Sequence, residues 1–238
     1  MNRSAEPAER TAGPQGAVAS VAAALMILIA ATACSGSGGL AASTPTSAPC
    51  STGGAAPTSG APDTTVVPVD GSGERNVGLP ANLSLPLIVH AHRAGSGTFV
   101  VRGIDASGKD TQVLASALGA YDGTFAVGFV DDCALPTVGL KVESTGRWHL
   151  DIADARLAHG YGAGVAGKGD SVLSYLGKAT KARVTYAGHA RFNVTTYGAD
   201  GPKLLARATG AYRGAVLLPR GPIFIAVTAD GAWTIAPG

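Results

Sequence analysis

The sequence predicts an all-β protein in which two tandem antiparallel β-sandwich-like repeats follow a signal peptide and a disordered linker. Three observations carry this. Charged residues make up only 14% of the chain and aromatics 5%, while glycine contributes 34 of 238 residues, a balance suited to short strands joined by tight turns. The second half of the chain repeats the first. Within each copy apolar residues alternate with polar ones, as in a strand with one buried face and one wet face.

The N-terminal segment has the order of an export signal. Arg3 and Arg10 lie in a short polar stretch, offset by Glu6 and Glu9, an apolar run extends from about Ala17 to Ala31, and Ala31-Thr32-Ala33-Cys34 closes it. The apolar run falls short of the ~20 residues a spanning helix needs, so cleavage fits better than a permanent membrane helix. Residues 1–33 are expected to be the signal peptide. Residues 34–66 hold Gly, Ala, Ser, Thr and Pro with Asp63 as the single charge, and cannot bury enough apolar surface to fold. They are expected to form a tether reaching on the order of 30 Å.

The repeats are expected over residues 67–152 and 167–238, with 153–166 as connector. Gly119-Ala120-Tyr121-Asp122-Gly123 returns as Gly210-Ala211-Tyr212-Arg213-Gly214, and Leu114-Ala115 returns as Leu205-Ala206. Val138, Leu140, Val142, Gly146, Trp148 and Leu150 return as Ile223, Ile225, Val227, Gly231, Trp233 and Ile235 at a different spacing, which places a loop insertion in the first copy. Gly71-Ser72-Gly73-Glu74 matches Gly167-Lys168-Gly169-Asp170.

About six strands per copy are expected. Leu87 to His92, Thr98 to Ile104, Thr111 to Ala117 and Thr124 to Val130 are four in the first. Next, Leu140 and Val142 alternate with Lys141 and Glu143, then Trp148, Leu150 and Ile152 alternate with His149 and Asp151, across a turn at Ser144 to Gly146. The pair reads as a β-hairpin with the tryptophan on its inward side. Copy two repeats this around Asp230-Gly231 and Trp233. Gly103 to Gly108 reads as a turn carrying Asp105, Ser107 and Lys109. Outside the signal peptide only Ala153 to Ala158 hints at helix.

The Ala31-Thr32-Ala33-Cys34 segment, with uncharged residues before it and Ser35 after it, resembles the lipobox of bacterial lipoproteins. The resemblance implies that Cys34 becomes a diacylated N-terminus holding the chain on the outer face of the cytoplasmic membrane; two acyl chains anchor stably where one does so marginally. Ala31-x-Ala33 also satisfies ordinary signal peptidase, which would give plain secretion. With Cys34 lipidated, Cys50 and Cys133 remain as an even pair in an oxidising compartment, open to a disulfide or to staying free. The paired signatures Gly119, Tyr121, Gly123 with Gly146, Trp148, and Gly210, Tyr212, Gly214 with Gly231, Trp233, are similar to the tandem β domains of uncharacterised exported proteins from high-GC Gram-positive bacteria. That likeness implies a fold and no activity.

Candidate chemistry is sparse. Trp148, Trp233, Tyr121 and Tyr212 suit sugar stacking, yet the tryptophans alternate in phase with Leu150 and Ile235, and each tyrosine lies in a repeated turn where its hydroxyl can bond backbone. Core and turn duty is therefore expected of them, leaving Tyr161, Tyr175, Tyr186 and Tyr197 as better sugar-facing candidates. Asp131-Asp132-Cys133 offers too few oxygens for calcium and reads as a solvated loop. His90 and His92 share one strand face, but with His149, His159 and His189 they form no close metal-ligand set, so no metal and no cofactor is expected. No Gly-x-Ser-x-Gly, Ser-x-x-Lys, His-Glu-x-x-His, Walker or dinucleotide pattern is present. The 18 basic and 16 acidic residues are spread without a cluster that would track a phosphate backbone, so nucleic acid is not an expected partner. The expectation is a non-enzymatic envelope protein binding a cell-wall ligand or protein partner. A structural or accessory subunit of an envelope complex is the alternative, and a secreted hydrolase without a recognisable motif comes third.

Overall fold

The computed structural model describes residues 61–129 and 136–238. The signal segment, most of the tether, all three cysteines and the Asp131-Asp132 loop lie outside the described residues.

Among the described residues each repeat holds eight strands. In the first they are β1 (Val66–Ser72), β2 (Arg75–Gly78), β3 (Leu87–Arg93), β4 (Thr98–Ile104), β5 (Asp110–Leu118), β6 (Tyr121–Val127), β7 (Gly139–Ser144) and β8 (Arg147–Asp154). A single 3-10 turn, Ala155–Leu157, stands where a helix was hinted, and the two-residue β9 (His159–Gly160) follows. The second repeat runs β10 (Val165–Lys168), β11 (Ser171–Tyr175), β12 (Thr180–Tyr186), β13 (Arg191–Gly198), β14 (Gly201–Thr209), β15 (Tyr212–Leu218), β16 (Ile223–Thr228) and β17 (Ala232–Pro237).

The strand orders are β1-β8-β3-β6 and β2-β7-β4-β5 in the first repeat, and β10-β17-β12-β15 and β14-β13-β16-β11 in the second, where β9 adds a short parallel edge beside β11. With each repeat counted from one to eight, both orders are 1-8-3-6 and 2-7-4-5, the double Greek key of a jelly roll. The chain is a tandem pair of jelly rolls.

This topology corrects three readings of the sequence. The strands number eight per copy rather than six, because the Gly-x-Gly-acid motif joins two lead strands. β7 and β8 are not a hairpin: they lie in opposite sheets, and β8 pairs with β1 and β3. Alternation fixes which side of a strand is buried, and a strand crossing between sheets satisfies it as well as a hairpin does. Third, β6 starts at Tyr121, so Tyr121-Asp122-Gly123 is strand rather than turn.

The repeated motifs acquire a physical role here. Trp148 and Trp233 are 3% and 2% exposed, and each indole lies flat against the lead strand. A Cβ on Gly71 would fall 2.1 Å from the Trp148 ring and one on Gly167 2.4 Å from Trp233, so glycine makes room for the ring. Each indole Nε1–H donates to the carbonyl of Gly73 or Gly169, at 3.0 and 2.9 Å, and both glycines turn the chain at positive φ. Phe99, Val101, Leu140, Val142, Leu150 and Ile152 fill the first interior, and Val184, Phe192, Val194, Leu218, Ile225 and Ile235 fill the second.

The jelly rolls meet in a third apolar cluster. Phe129 packs edge-on against Phe224, centroids 5.0 Å apart at 89°, and 5.1 Å from Tyr197, with Ala155, Ala158 and Val172 around them. Beside it the turn between β10 and β11 presents Asp170 to the edge of β6. Its carboxylate accepts from the Tyr121 hydroxyl at 2.9 Å and from the Ala229 N–H at 2.8 Å, and its carbonyl accepts from the Thr124 N–H at 2.9 Å. Burial raises the Asp170 carboxyl above the usual carboxylate range against the pull of those donors. Burial, reinforced by the neighbouring Asp170 charge, likewise holds the Tyr121 phenol far above its ordinary value.

Candidate functional site

Strand alternation turns every second residue of β1, β8, β3 and β6 outward, and the pairing register decides which of them become neighbours. His92 stands opposite His149 on one side and Asp122 on the other; His90 stands opposite Asp151 and Thr124; Asp70 stands opposite His149. The outer face of the first jelly roll thus gathers three imidazoles and three carboxylates. His149 Nδ1 lies 2.9 Å from Asp70 Oδ1 and its Nε2 3.1 Å from Asp151 Oδ1. His90 Nε2 lies 3.4 Å from Asp122 Oδ1 and its Nδ1 3.3 Å from Thr124 Oγ1, while His92 Nδ1 reaches Asp122 Oδ2 at 4.0 Å. The hydrogen bond to Asp70, with help from Asp151, raises the His149 imidazole above its ordinary value of 6.5.

Two kinds of chemistry are open to this face. Its three carboxylates make it acidic, and protonation of His149 offsets part of that charge, so affinity for a cationic group or a polar polymer would change with pH. Thr124, His90 and Asp122 also stand in the hydroxyl–imidazole–carboxylate order of a nucleophile, base and orienting acid. His90 and Asp122 side chains are 48% and 69% exposed, however, on a flat sheet, where water screens each charge. That setting suits binding better than bond breaking. Among the described residues no three His, Cys, Asp or Glu converge as a metal site.

The duplicated face carries the opposite chemistry. Register equates His90 with Arg183, His92 with Thr185, Asp122 with Arg213, His149 with Thr234, Asp151 with Ala236 and Asp70 with Ala166. Exposed Lys168 and Lys181 join Arg183 and Arg213 there. A hydrogen-bonded pair, Thr185 Oγ1 and Thr234 Oγ1 at 2.7 Å, replaces His92 and His149.

The other sequence candidates fall elsewhere. Tyr161, Tyr175 and Tyr186 are buried, and Tyr197 packs on Phe129, so none of the four faces a sugar. Tyr121 is buried and bonds a carboxylate rather than backbone; Tyr212 is half-buried. Asp105 organises the β4–β5 turn, its Oδ1 accepting from the Ser107 N–H at 2.8 Å and the Lys109 N–H at 3.0 Å. His159 and His189 stay exposed and apart from the triple-histidine face. Clefts open on the second repeat. One of about 170 Å³ lies between Gly198, Asp200, Lys203, Arg220 and Pro222, and one of about 370 Å³ lies between Thr185, Ala187, Ala211, Tyr212 and Arg213.

Comparison with known proteins adds little to this geometry. No family model matches the chain. No curated protein matches it in sequence. Among solved structures, the chain is similar to the guanosine-bound regulatory subunit of a cAMP-independent protein kinase A from Trypanosoma cruzi, at 10% identity and a TM-score of 0.22, covering 72% of each chain. It is also similar to cAMP-bound PfPKA-R, at 8% identity and a TM-score of 0.19, covering 70% of each chain. Superpositions this loose carry no inference about ligand.

Proposed function

We propose that this chain is an exported, non-enzymatic binding protein, held at the outer face of the cytoplasmic membrane through a lipid on Cys34, whose two jelly rolls offer their outer sheet faces to a cell-envelope ligand. One observation carries the binding part. Both interiors are packed with side chains, Phe99, Leu140 and Leu150 in one and Phe192, Ile225 and Leu218 in the other, all fully buried. A ligand must therefore be met from outside, where the two repeats have diverged to opposite charge over a common frame. Location rests on the Cys34 segment, and the opposed faces would let one chain grip a polymer bearing both signs of charge.

Two experiments test this. Mass spectrometry of the mature N-terminus should find diacylated Cys34 in the membrane fraction of expressing cells; an unmodified mature chain in the medium would remove the anchor. The chain should co-sediment with purified wall material. Arg183→Glu in one face and His149→Ala in the other should each weaken retention severalfold without changing the near-ultraviolet signal of the tryptophans. Absence of retention by the unaltered chain would overturn the wall ligand.

A further inference from the structure

We propose that the chain associates head to tail with a second copy of itself, the Glu74 turn of one molecule docking on the Tyr212 edge of the next. The junction between the two jelly rolls supplies the pattern. There Asp170, in the turn between β10 and β11, accepts from the Tyr121 hydroxyl and the Thr124 N–H at the open edge of β6. Duplication repeats each half of this junction once without its counterpart.

The accepting half, the carboxylate turn, recurs in the first repeat. Gly73 and Gly169 share the same turn, at φ 71° and 75°, and both accept from a tryptophan indole. The Gly73 N–H donates to the Gly146 carbonyl at 3.3 Å as the Gly169 N–H donates to Gly231 at 3.2 Å. Glu74 then stands where Asp170 stands, its side chain 66% exposed and met by the Lys141 amine at 3.2 Å.

The donating half, the tyrosine edge, recurs in the second repeat. Tyr212 replaces Tyr121 at the head of β15, which is an edge strand like β6. Its ring lies over Gly214 as that of Tyr121 lies over Gly123, and at Gly123 a Cβ would also meet the incoming Asp170 carbonyl at 3.1 Å. Tyr212 lines the open cleft of about 370 Å³, and no described residue accepts from its hydroxyl. Ala215 offers the backbone N–H that Thr124 uses in the internal junction.

Charge selects a second copy as the occupant. The incoming turn carries exposed Asp70 and Glu74 beside one exposed cation, Arg75, and the receiving edge carries Arg213 and Arg183 where the internal junction has Asp122 and His90. The apolar half is not reproduced: Lys181 and Leu217 stand where Ile88 and Ala126 stand, and Asn76 where Val172 stands. The contact is therefore reversible and sensitive to salt. It is also heterologous, joining two different patches, so it propagates from copy to copy.

Sedimentation velocity on the purified full chain tests this over a concentration series at low and high salt. The unaltered chain should form species of two or more copies that grow with concentration and recede with salt. Glu74→Lys and Arg213→Glu alter exposed side chains at opposite ends, and each alone should sediment as a monomer. Mixed in equal amounts they should associate again, because the intact Glu74 turn of one meets the intact Arg213 edge of the other and the two reversed ends are also opposite in charge. Glu74→Ala and Arg213→Ala, mixed in equal amounts, should form a dimer and nothing larger, because each retains the end the other lacks, and tryptophan circular dichroism reports the fold of every variant. A monomeric unaltered chain at all concentrations, or oligomers that persist in either charge variant, would overturn the proposal.

Discussion

His149 shows how much a single residue depends on what its strand pairs with. Its alternation with Trp148 and Leu150 is plain in the sequence and turns it outward, and His90 and His92 are as plain on their own strand. The site still stayed hidden, because reading β7 and β8 as a hairpin set His149 beside Lys141 and Glu143 instead of beside His92 and Asp70. A raised imidazole makes a signed statement about pH. Protonated His149, paired with Asp70 and Asp151, adds stability below its ordinary value of 6.5, and that contribution is lost as pH rises through the elevated folded-state value. Asp70→Asn should bring the His149 titration, followed by imidazole proton NMR, back toward 6.5; an unmoved titration would mean that the hydrogen bond is not the cause. The tryptophans were more legible, since their phase with buried aliphatics needs no knowledge of pairing. Trp148→Ala or Trp233→Ala should cost about 3–5 kcal/mol in urea unfolding, the usual range for deleting a buried ring.

At the scale of elements, the two copies solve one closing problem with different chemistry. At the end of β3 in the first repeat, Arg93 is 2% exposed and ties three turns together. Its Nη1 donates to the carbonyls of Gly95, Gly97 and Gly119, at 3.1, 3.1 and 2.6 Å, and its Nη2 donates to Thr145 Oγ1 at 2.8 Å and to the Ser96 carbonyl. Among the described residues no carboxylate pairs with it, so neutral oxygens alone hold the buried charge. In the second repeat Tyr186 and Asp230 occupy the places of Arg93 and Thr145: the Tyr186 hydroxyl donates to the Asp230 carboxylate, which also accepts from the Ala190 N–H at 3.1 Å. Neither plug was visible in the sequence, because its members lie on strands far apart in the chain, and a buried arginine violates the pattern used to find the core. Arg93→Ala should lower the stability of the first jelly roll by about 3 kcal/mol or more, with loss of amide protection in the turns at 94–97 and 119–120 by hydrogen exchange. Unchanged protection would show that the turns hold themselves.

The molecule as a whole reads as one frame written twice and joined through a hydrophobic seam. The duplication was legible from the Gly-x-Tyr-x-Gly and Gly-x-Trp signatures, whose spacing survives because turns and ring beds tolerate few alternatives. The seam was not, since Phe129, Tyr197 and Phe224 have no repeat partners of like kind to flag them. Phe129→Ala empties the centre of that seam and should separate a single calorimetric transition into two, one per jelly roll; a lone transition displaced to lower temperature would instead place Phe129 within the first core. The filled interiors and diverged exteriors have one more consequence. What each repeat presents is independent of what folds it, so the outer faces should behave as exchangeable parts. Transplanting the second face onto the first, with His90→Arg, His92→Thr and Asp122→Arg together, should leave the melting temperature within a few degrees, since each changed side chain is exposed. The frame would then serve as a scaffold for surface libraries, with two separately programmable panels on one polypeptide.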